Sequence, residues 1–164
     1  VQRALLFSHL VGLGVYLGAT TLLLLLLGTL TRDDKGPEAL RERLAGVFRA
    51  YSPLAVGSLG VVVMSGAWSL TPYKQQLGPR YFTEVGSALA TKLPLAFLLI
   101  MVATWIAFGI CHRMVRAHEA GISANAADLA RVLLRLRVAL WLALALSGAT
   151  LWVALGARTA FKPG

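Results

Sequence analysis

The chain has 164 residues, of which 57% are hydrophobic and only 14% charged, with a mean hydropathy of +0.71 and a formal net charge of +9. That composition is that of an integral membrane protein, and the length leaves room for about four helices of ~20 residues but none for a soluble catalytic domain. The positive balance does not point to nucleic acid, because the arginines and lysines fall almost wholly between apolar runs and lack accompanying aromatic residues for base stacking.

The first predicted span covers residues 4–30, with Leu22 to Leu27 at its far end and Thr31-Arg32-Asp33-Asp34 closing it. It is too long for the hydrophobic region of a signal peptide and has no small-residue cleavage site. The chain begins at Val1, so residues ahead of it are expected to be missing. Ser8, His9, Gly12, Tyr16 and Thr20 fall near one face of this helix, while Gly14 and Gly18 make a GxxxG step on an adjacent face that permits close approach of another helix.

The second span is predicted over residues 52–70, entered through Pro53 in its first turn and left at Thr71-Pro72. Gly57, Gly60, Met64 and Trp68 lie along one of its faces, a relief suited to a large planar cofactor, with Ser58, Ser65 and Gly66 nearby. The segment from Pro72 to Thr91, with Tyr73, Tyr81 and Phe82, reads as a loop lying at headgroup depth.

The third span is predicted over residues 93–112, again with a proline, Pro94, in its first turn. Cys111 is the only cysteine and forms no internal disulfide. The fourth span covers residues 138–155 and is preceded by a helical extension, Asp128 to Arg137, whose Arg131, Arg135 and Arg137 give it a basic face. The expected fold is therefore all-α: one domain over residues 1–164, a membrane bundle of four transmembrane helices with short loops.

Ten basic residues flank the spans on one side: Arg32, Lys35, Arg41, Arg43 and Arg49 in the first loop, and Arg113, Arg116, Arg131, Arg135 and Arg137 in the third. Six lie on the other: Arg3, Lys74, Arg80, Lys92, Arg158 and Lys162. The positive-inside rule then puts both termini outside and the first and third loops in the cytoplasm.

His9 is the only histidine inside an apolar run, and an ionisable group at membrane depth usually has a partner or a function. Its depth is about 8 to 10 Å below the start of the span at 1.5 Å per residue. One reading is a packing histidine bonded to a neighbouring backbone or hydroxyl group; the other is a ligand to haem iron, copper or zinc in the bundle interior. Met64 is a candidate soft ligand for copper or an axial ligand for haem, set against a simple packing role. Lys92 enters the third span at a predicted depth similar to that of His9, where it anchors at the interface or pairs with a carboxylate or haem propionate. Glu84, the only acidic residue on that side, is a candidate partner for Lys92 or Arg80. His112 and His118 are six residues apart with only Glu119 near, a weak metal pattern. No HExxH, CxxC, CxxCH, Walker or dinucleotide motif occurs, and every acidic residue lies outside the spans, so an intramembrane carboxylate relay has no support.

Over residues 5 to 155 the chain resembles the CopD-like family of copper-resistance membrane proteins and the related four-helix HemJ-type protoporphyrinogen oxidases. The resemblance rests on Phe7-Ser8-His9-Leu10 with Gly12 and Gly18, on Arg49-Ala50-Tyr51-Ser52-Pro53 leading into Val63-Met64-Ser65-Gly66-Ala67-Trp68, and on Thr91-Lys92-Leu93-Pro94-Leu95 with Arg113 closing the third helix. It implies functional roles for His9 and Lys92, with His9 in b-type haem binding, in a bacterial cytoplasmic membrane. Tyr16 stands where these relatives commonly carry tryptophan and the histidine-rich patch of the HemJ third helix is reduced to His112, which argues against porphyrinogen oxidation. The Met and His residues form no string of sites along a pathway, which argues against copper transport.

Three functions are expected from this reading. The first is a haem b redox or electron-transfer subunit with His9 as axial ligand, Lys92 near a propionate, and Gly57 and Gly60 giving the macrocycle room. The second is a copper-handling protein coordinating metal through His9 and Met64. The third is an accessory subunit packed against a larger respiratory or photosynthetic complex. The expected surroundings are the lipid bilayer and membrane-protein or redox partner subunits.

Overall fold

The computed structural model describes residues 2–32, 36–80, 86–123 and 125–160, with side chains at all of them except 73, 77, 87, 88 and 155–160. Helix α1 is Gln2–Leu30 and α2 is Pro37–Leu77, followed by a 3-10 turn at Gly78–Arg80. Next, α3 (Gly86–Thr104), a π-helical segment (Trp105–Cys111) and α4 (His112–Glu119) run on as one rod, because both junction residues, Thr104 and His112, keep right-handed helical dihedrals. Helix α5, Ala126–Ala160, completes an all-α bundle of four rods among the described residues. Three of them are long and apolar enough to cross a membrane: Gln2–Leu30, Pro37–Gln76 and Leu89–Glu119.

The described part of the first loop is largely helix. Pro37 opens α2 at its first turn behind Gly36, whose φ of 85° suits glycine. The four-residue rhythm hidden among the charges at 38–49 explains the extension: Leu44, Phe48 and Tyr51 repeat at helical spacing and are all buried in the core. Pro53 therefore sits inside α2 rather than in a first turn, as do Pro72 in α2 and Pro94 in α3. Lacking an N–H, Pro53 leaves the Arg49 carbonyl without its intrahelical donor.

Around the bundle α1 packs on α2, α2 on the π segment and α4, α3 on α5, and α5 back on α1. Helices α1 and α3 are diagonal and make no contact among the described residues. On α1 the buried stripe is Gly12, Tyr16, Thr20, Leu23 and Leu27, three of which belong to the face expected from sequence. Gly14 and Gly18 are exposed with open space around them, so their GxxxG step meets no neighbouring helix among the described residues.

Burial is concentrated in the basic half of the bundle. It runs through Leu44 to Leu59 on α2, Leu99 to Val115 on the third rod and Leu129 to Ser147 on α5. Toward the other end, Ser65 is the only buried residue after Leu59 among the described side chains of α2, and none before Leu99 is buried on α3. The helices thus close tightly at one end and open at the other.

The tight end is latched by polar contacts. Helix α4 ends in a Schellman turn, with Gly121 at φ 64° donating to the His118 carbonyl (3.0 Å) and Ile122 to the Ala117 carbonyl (3.2 Å). The buried Arg41 of α2 donates to the Ile122 carbonyl just beyond that turn, and Arg49 pairs with Glu119 at 2.7 Å. Asn125 caps α5 by accepting from the Ala127 N–H at 3.0 Å. Arg131 and Arg135 face outward, but Arg137 departs from the expected basic face. It turns inward to donate to the Leu27 carbonyl (3.2 Å) and the Thr31 hydroxyl (2.7 Å), because acceptors at the end of α1 lie within its reach.

Candidate functional site around His9

His9 lies on the α1 face that meets α2, three residues before a tight contact between the two helices. That contact is at Gly12, where an added Cβ would stand 3.1 Å from the Ser58 carbonyl oxygen and from Val62 Cγ2, and 3.2 Å from Val61 Cγ1. One turn outward, Gly66 leaves room for the imidazole, since a Cβ there would lie 3.3 Å from His9 Cε1. The ring is thereby seated between α1 and α2, half-buried.

Its hydrogen bonds assign the tautomer. His9 Nδ1 is 3.0 Å from the Val62 carbonyl oxygen and 3.1 Å from Ser65 Oγ. A carbonyl only accepts, and the Ser65 hydroxyl already donates to the Val61 carbonyl at 2.6 Å, so it presents a lone pair to the ring. The Nδ1 proton is therefore the shared donor, which in the neutral ring leaves the Nε2 lone pair bare. Nε2 has no hydrogen-bond partner among the described residues, the arrangement of an imidazole prepared to ligate.

Beyond His9 the same two helices form an open groove of about 320 Å³, lined by Gln2, Leu5, Trp68, Ser69, Thr71, Pro72 and Gln75. Leu5 is one turn above His9, and Trp68, 60% exposed, is three residues past Ser65.

The other candidates are placed differently. Gly57, Gly60 and Met64 all face outward, Met64 at 59% exposure, on a stripe of α2 adjacent to the one that meets α1. The stripe facing His9 is Ser58, Val62, Ser65 and Gly66, so the structure does not bring Met64, Gly57 and Gly60 to the imidazole.

Lys92 is half-buried on α3, the helix diagonal to α1, and pairs with no described residue. Its depth also differs from that of His9. Counted from the layer in which Tyr51 neighbours both Thr20 and Cys111, His9 is 11 residues from Thr20 along its helix and Lys92 is 19 residues from Cys111 along its rod. His9 and Lys92 thus share an end of the bundle without sharing a level. Glu84 lies outside the described residues, as do Asp33, Asp34, Lys35, Tyr81, Phe82 and Lys162 and the side chains of Tyr73 and Arg158.

His112 is exposed and His118 half-buried at the opposite, basic end, and Glu119 is held by Arg49. Among the described residues no three His, Cys, Asp or Glu side chains converge as a metal-binding group.

One buried polar cluster was not anticipated from the sequence. Tyr16 and Thr20 of α1, Tyr51 and Ser52 of α2 and Cys111 at the end of the π segment form a contiguous layer in the core. Thr20 gives its proton to the Tyr16 carbonyl at 2.7 Å. The hydroxyls of Tyr16, Tyr51 and Ser52 are buried and lack a hydrogen bond of normal geometry. The available sequence signal was the stripe from Leu44 through Tyr51, which carries Tyr51 inward.

No family model, no curated protein and no solved structure matches this chain.

Proposed function

We propose that this chain is a four-span protein of the CopD/HemJ-like kind that binds a b-type haem through His9 and passes electrons to a redox partner subunit in the membrane. On this reading α5 supplies the fourth crossing over residues 138–155, both termini face the outside, and the membrane is the bacterial cytoplasmic membrane. The observation that carries the proposal is the anchored imidazole: the Val62 carbonyl and Ser65 hydroxyl hold Nδ1–H and leave Nε2 bare. A backbone acceptor on the non-ligating nitrogen fixes ring orientation and raises ligand basicity.

The residues present fit such a group as a one-sided ligand. His9 is the donor, Leu5 and Trp68 offer apolar and aromatic surface beside it, and the cations Arg3, Lys74 and Lys92 on this end suit a carboxylate-bearing cofactor. Bound haem would supply one-electron redox chemistry. The chain's own work is to orient the imidazole through Val62 and Ser65 and, through Gly12 and Gly66, to keep α1 and α2 close enough to do so.

The test is a reduced-minus-oxidised spectrum of the purified chain, with metal analysis of the same sample. Haem b bands in the wild type that are lost in a helical, folded His9→Ala variant support the reading. Blank spectra, or bands unchanged in His9→Ala, overturn it. Stoichiometric copper without porphyrin would instead establish copper handling, and a blank protein that co-purifies stoichiometrically with a larger complex would establish an accessory subunit.

A further inference from the structure

The polar layer of Tyr16, Thr20, Tyr51, Ser52 and Cys111 has no part in the haem reading. Tyr16 and Cys111 are fully buried and Tyr51 is 5% exposed. The hydroxyl oxygens of Tyr16, Tyr51 and Ser52 are shielded from solvent, and none of the three meets a hydrogen-bonding group at normal geometry. Tyr16 and Thr20 fall near the middle of the apolar run 4–30, so these hydroxyls lie far from either headgroup level, where the bilayer offers them no partner.

Other hydroxyls in the helices avoid this situation by bonding to their own backbone. Thr20 donates to the Tyr16 carbonyl, Ser58 to the Ala55 carbonyl and Ser147 to the Ala143 carbonyl. A tyrosine has no such escape, because its ring carries Oη away from its own helix. Beside the layer the third rod is wound wide: Trp105–Cys111 is π-helical, and the His112 N–H reaches back five residues to the Ala107 carbonyl. Single turns of this kind recur at functional sites.

The chemistry of the five side chains restricts what they can hold. None carries a formal charge, so an ion would stand there uncompensated. Each hydroxyl can both donate and accept, and Thr20 Oγ1, its proton already committed, keeps a free lone pair. The group that answers such a set is small, neutral, and both donor and acceptor.

We infer that this layer is an internal hydration site, with water held among the Tyr16, Tyr51, Ser52 and Thr20 hydroxyls beside the Cys111 thiol, deep in the membrane-spanning part of the bundle. An internal water makes about three hydrogen bonds. With these hydroxyls around it, loss of one tyrosine hydroxyl still leaves it bound, and only removal of several empties the site. The consequence is that Cys111, fully buried, is in contact with water that bulk reagents cannot follow.

The full chain in nanodiscs is given a brief X-ray pulse, which generates hydroxyl radicals wherever water is held, and oxidation of Cys111 is read by mass spectrometry. Oxidation should be found in the wild type, persist in Tyr16→Phe, and fall several-fold in the triple variant Tyr16→Phe/Tyr51→Phe/Ser52→Ala. Maleimide, too large for the layer, should leave Cys111 unmodified in the same samples. Because Cys111 is the only cysteine, its infrared S–H stretch gives a second reading on the wild type alone if the triple variant does not fold: the band should convert to S–D on transfer to D2O. Absence of Cys111 oxidation in the wild type, equal oxidation in the folded triple variant, or a band that stays S–H overturns the inference. Maleimide labelling that matches the oxidation overturns it too, since the layer would then be opening to bulk water.

Discussion

Replacing Gly12 with alanine sets two opposed effects against each other at a tight contact between α1 and α2. Alanine is the better helix former by about 0.8–1 kcal/mol. The new methyl, however, would meet the Ser58 carbonyl oxygen at 3.1 Å and two valine methyls at 3.1 and 3.2 Å, all inside ordinary van der Waals contact. The carbonyl belongs to the backbone of α2 and cannot rotate away, so the helices must part by a few tenths of an ångström. Overpacking of this kind costs about 1–3 kcal/mol, and with a rigid backbone neighbour the net effect of Gly12→Ala is a destabilisation of up to about 2 kcal/mol. Gly14→Ala and Gly18→Ala meet nothing within 4 Å and keep only the propensity gain. Unfolding by denaturing detergent in mixed micelles, followed by circular dichroism, should therefore show opposite signs within one helix. Because Val62 both blocks the Gly12 position and accepts from His9, Gly12→Ala should also disturb any spectrum that depends on His9. If Gly12→Ala and Gly14→Ala shift stability equally, the close approach of α1 to α2 is wrong, and the seating of His9 with it.

Three further outcomes follow from the polar contacts. Arg41→Ala removes a buried, charge-assisted bond to the Ile122 carbonyl and is expected to cost about 1.5–3 kcal/mol; limited proteolysis should show faster cleavage in the turn after α4. Tyr16→Phe and Tyr51→Phe delete buried hydroxyls whose neighbour Thr20 lies outside normal hydrogen-bond geometry, so each should be neutral or stabilising by up to about 1 kcal/mol in the same unfolding assay. A loss of stability in both would show those hydroxyls to be well bonded. The Arg49–Glu119 pair is more than half exposed on both sides, and a double-mutant cycle should give about 0.2–1 kcal/mol, shrinking as salt is raised.

The helical membrane character of the chain was legible because long apolar runs have few other solutions, and the inward face of α1 was legible because Gly12, Tyr16 and Thr20 repeat at helical spacing. The start of α2 was not. Hydropathy averaged over 37–51 is lowered by glutamates and arginines, and Pro53 resembles a helix start. The decisive pattern is the stripe through Leu44, Phe48 and Tyr51, which closes a core with α1 and the third rod. The seating of His9 was open for a similar reason. Small residues around it point to a helix interface, but the glycines and Met64 point to the stripe of Gly57, Gly60 and Met64 on α2, whereas rotation of α2 presents Val62, Ser65 and Gly66. Helix phase at an interface depends on both partners. The inward turn of Arg137 and the π segment likewise depend on tertiary contacts rather than on any local motif.

Helix α2 has 41 residues, a length of about 60 Å against a hydrocarbon thickness of about 30 Å. A single crossing would take only about half of it, and the same rod carries Arg41 and, about 30 Å further along, the Val62 carbonyl that orients His9. Pro53 interrupts its hydrogen-bond ladder between those two points. The Arg49–Glu119 pair and the seat of His9 are thus carried by one helix, and a displacement of one end is a displacement of the element that holds the other.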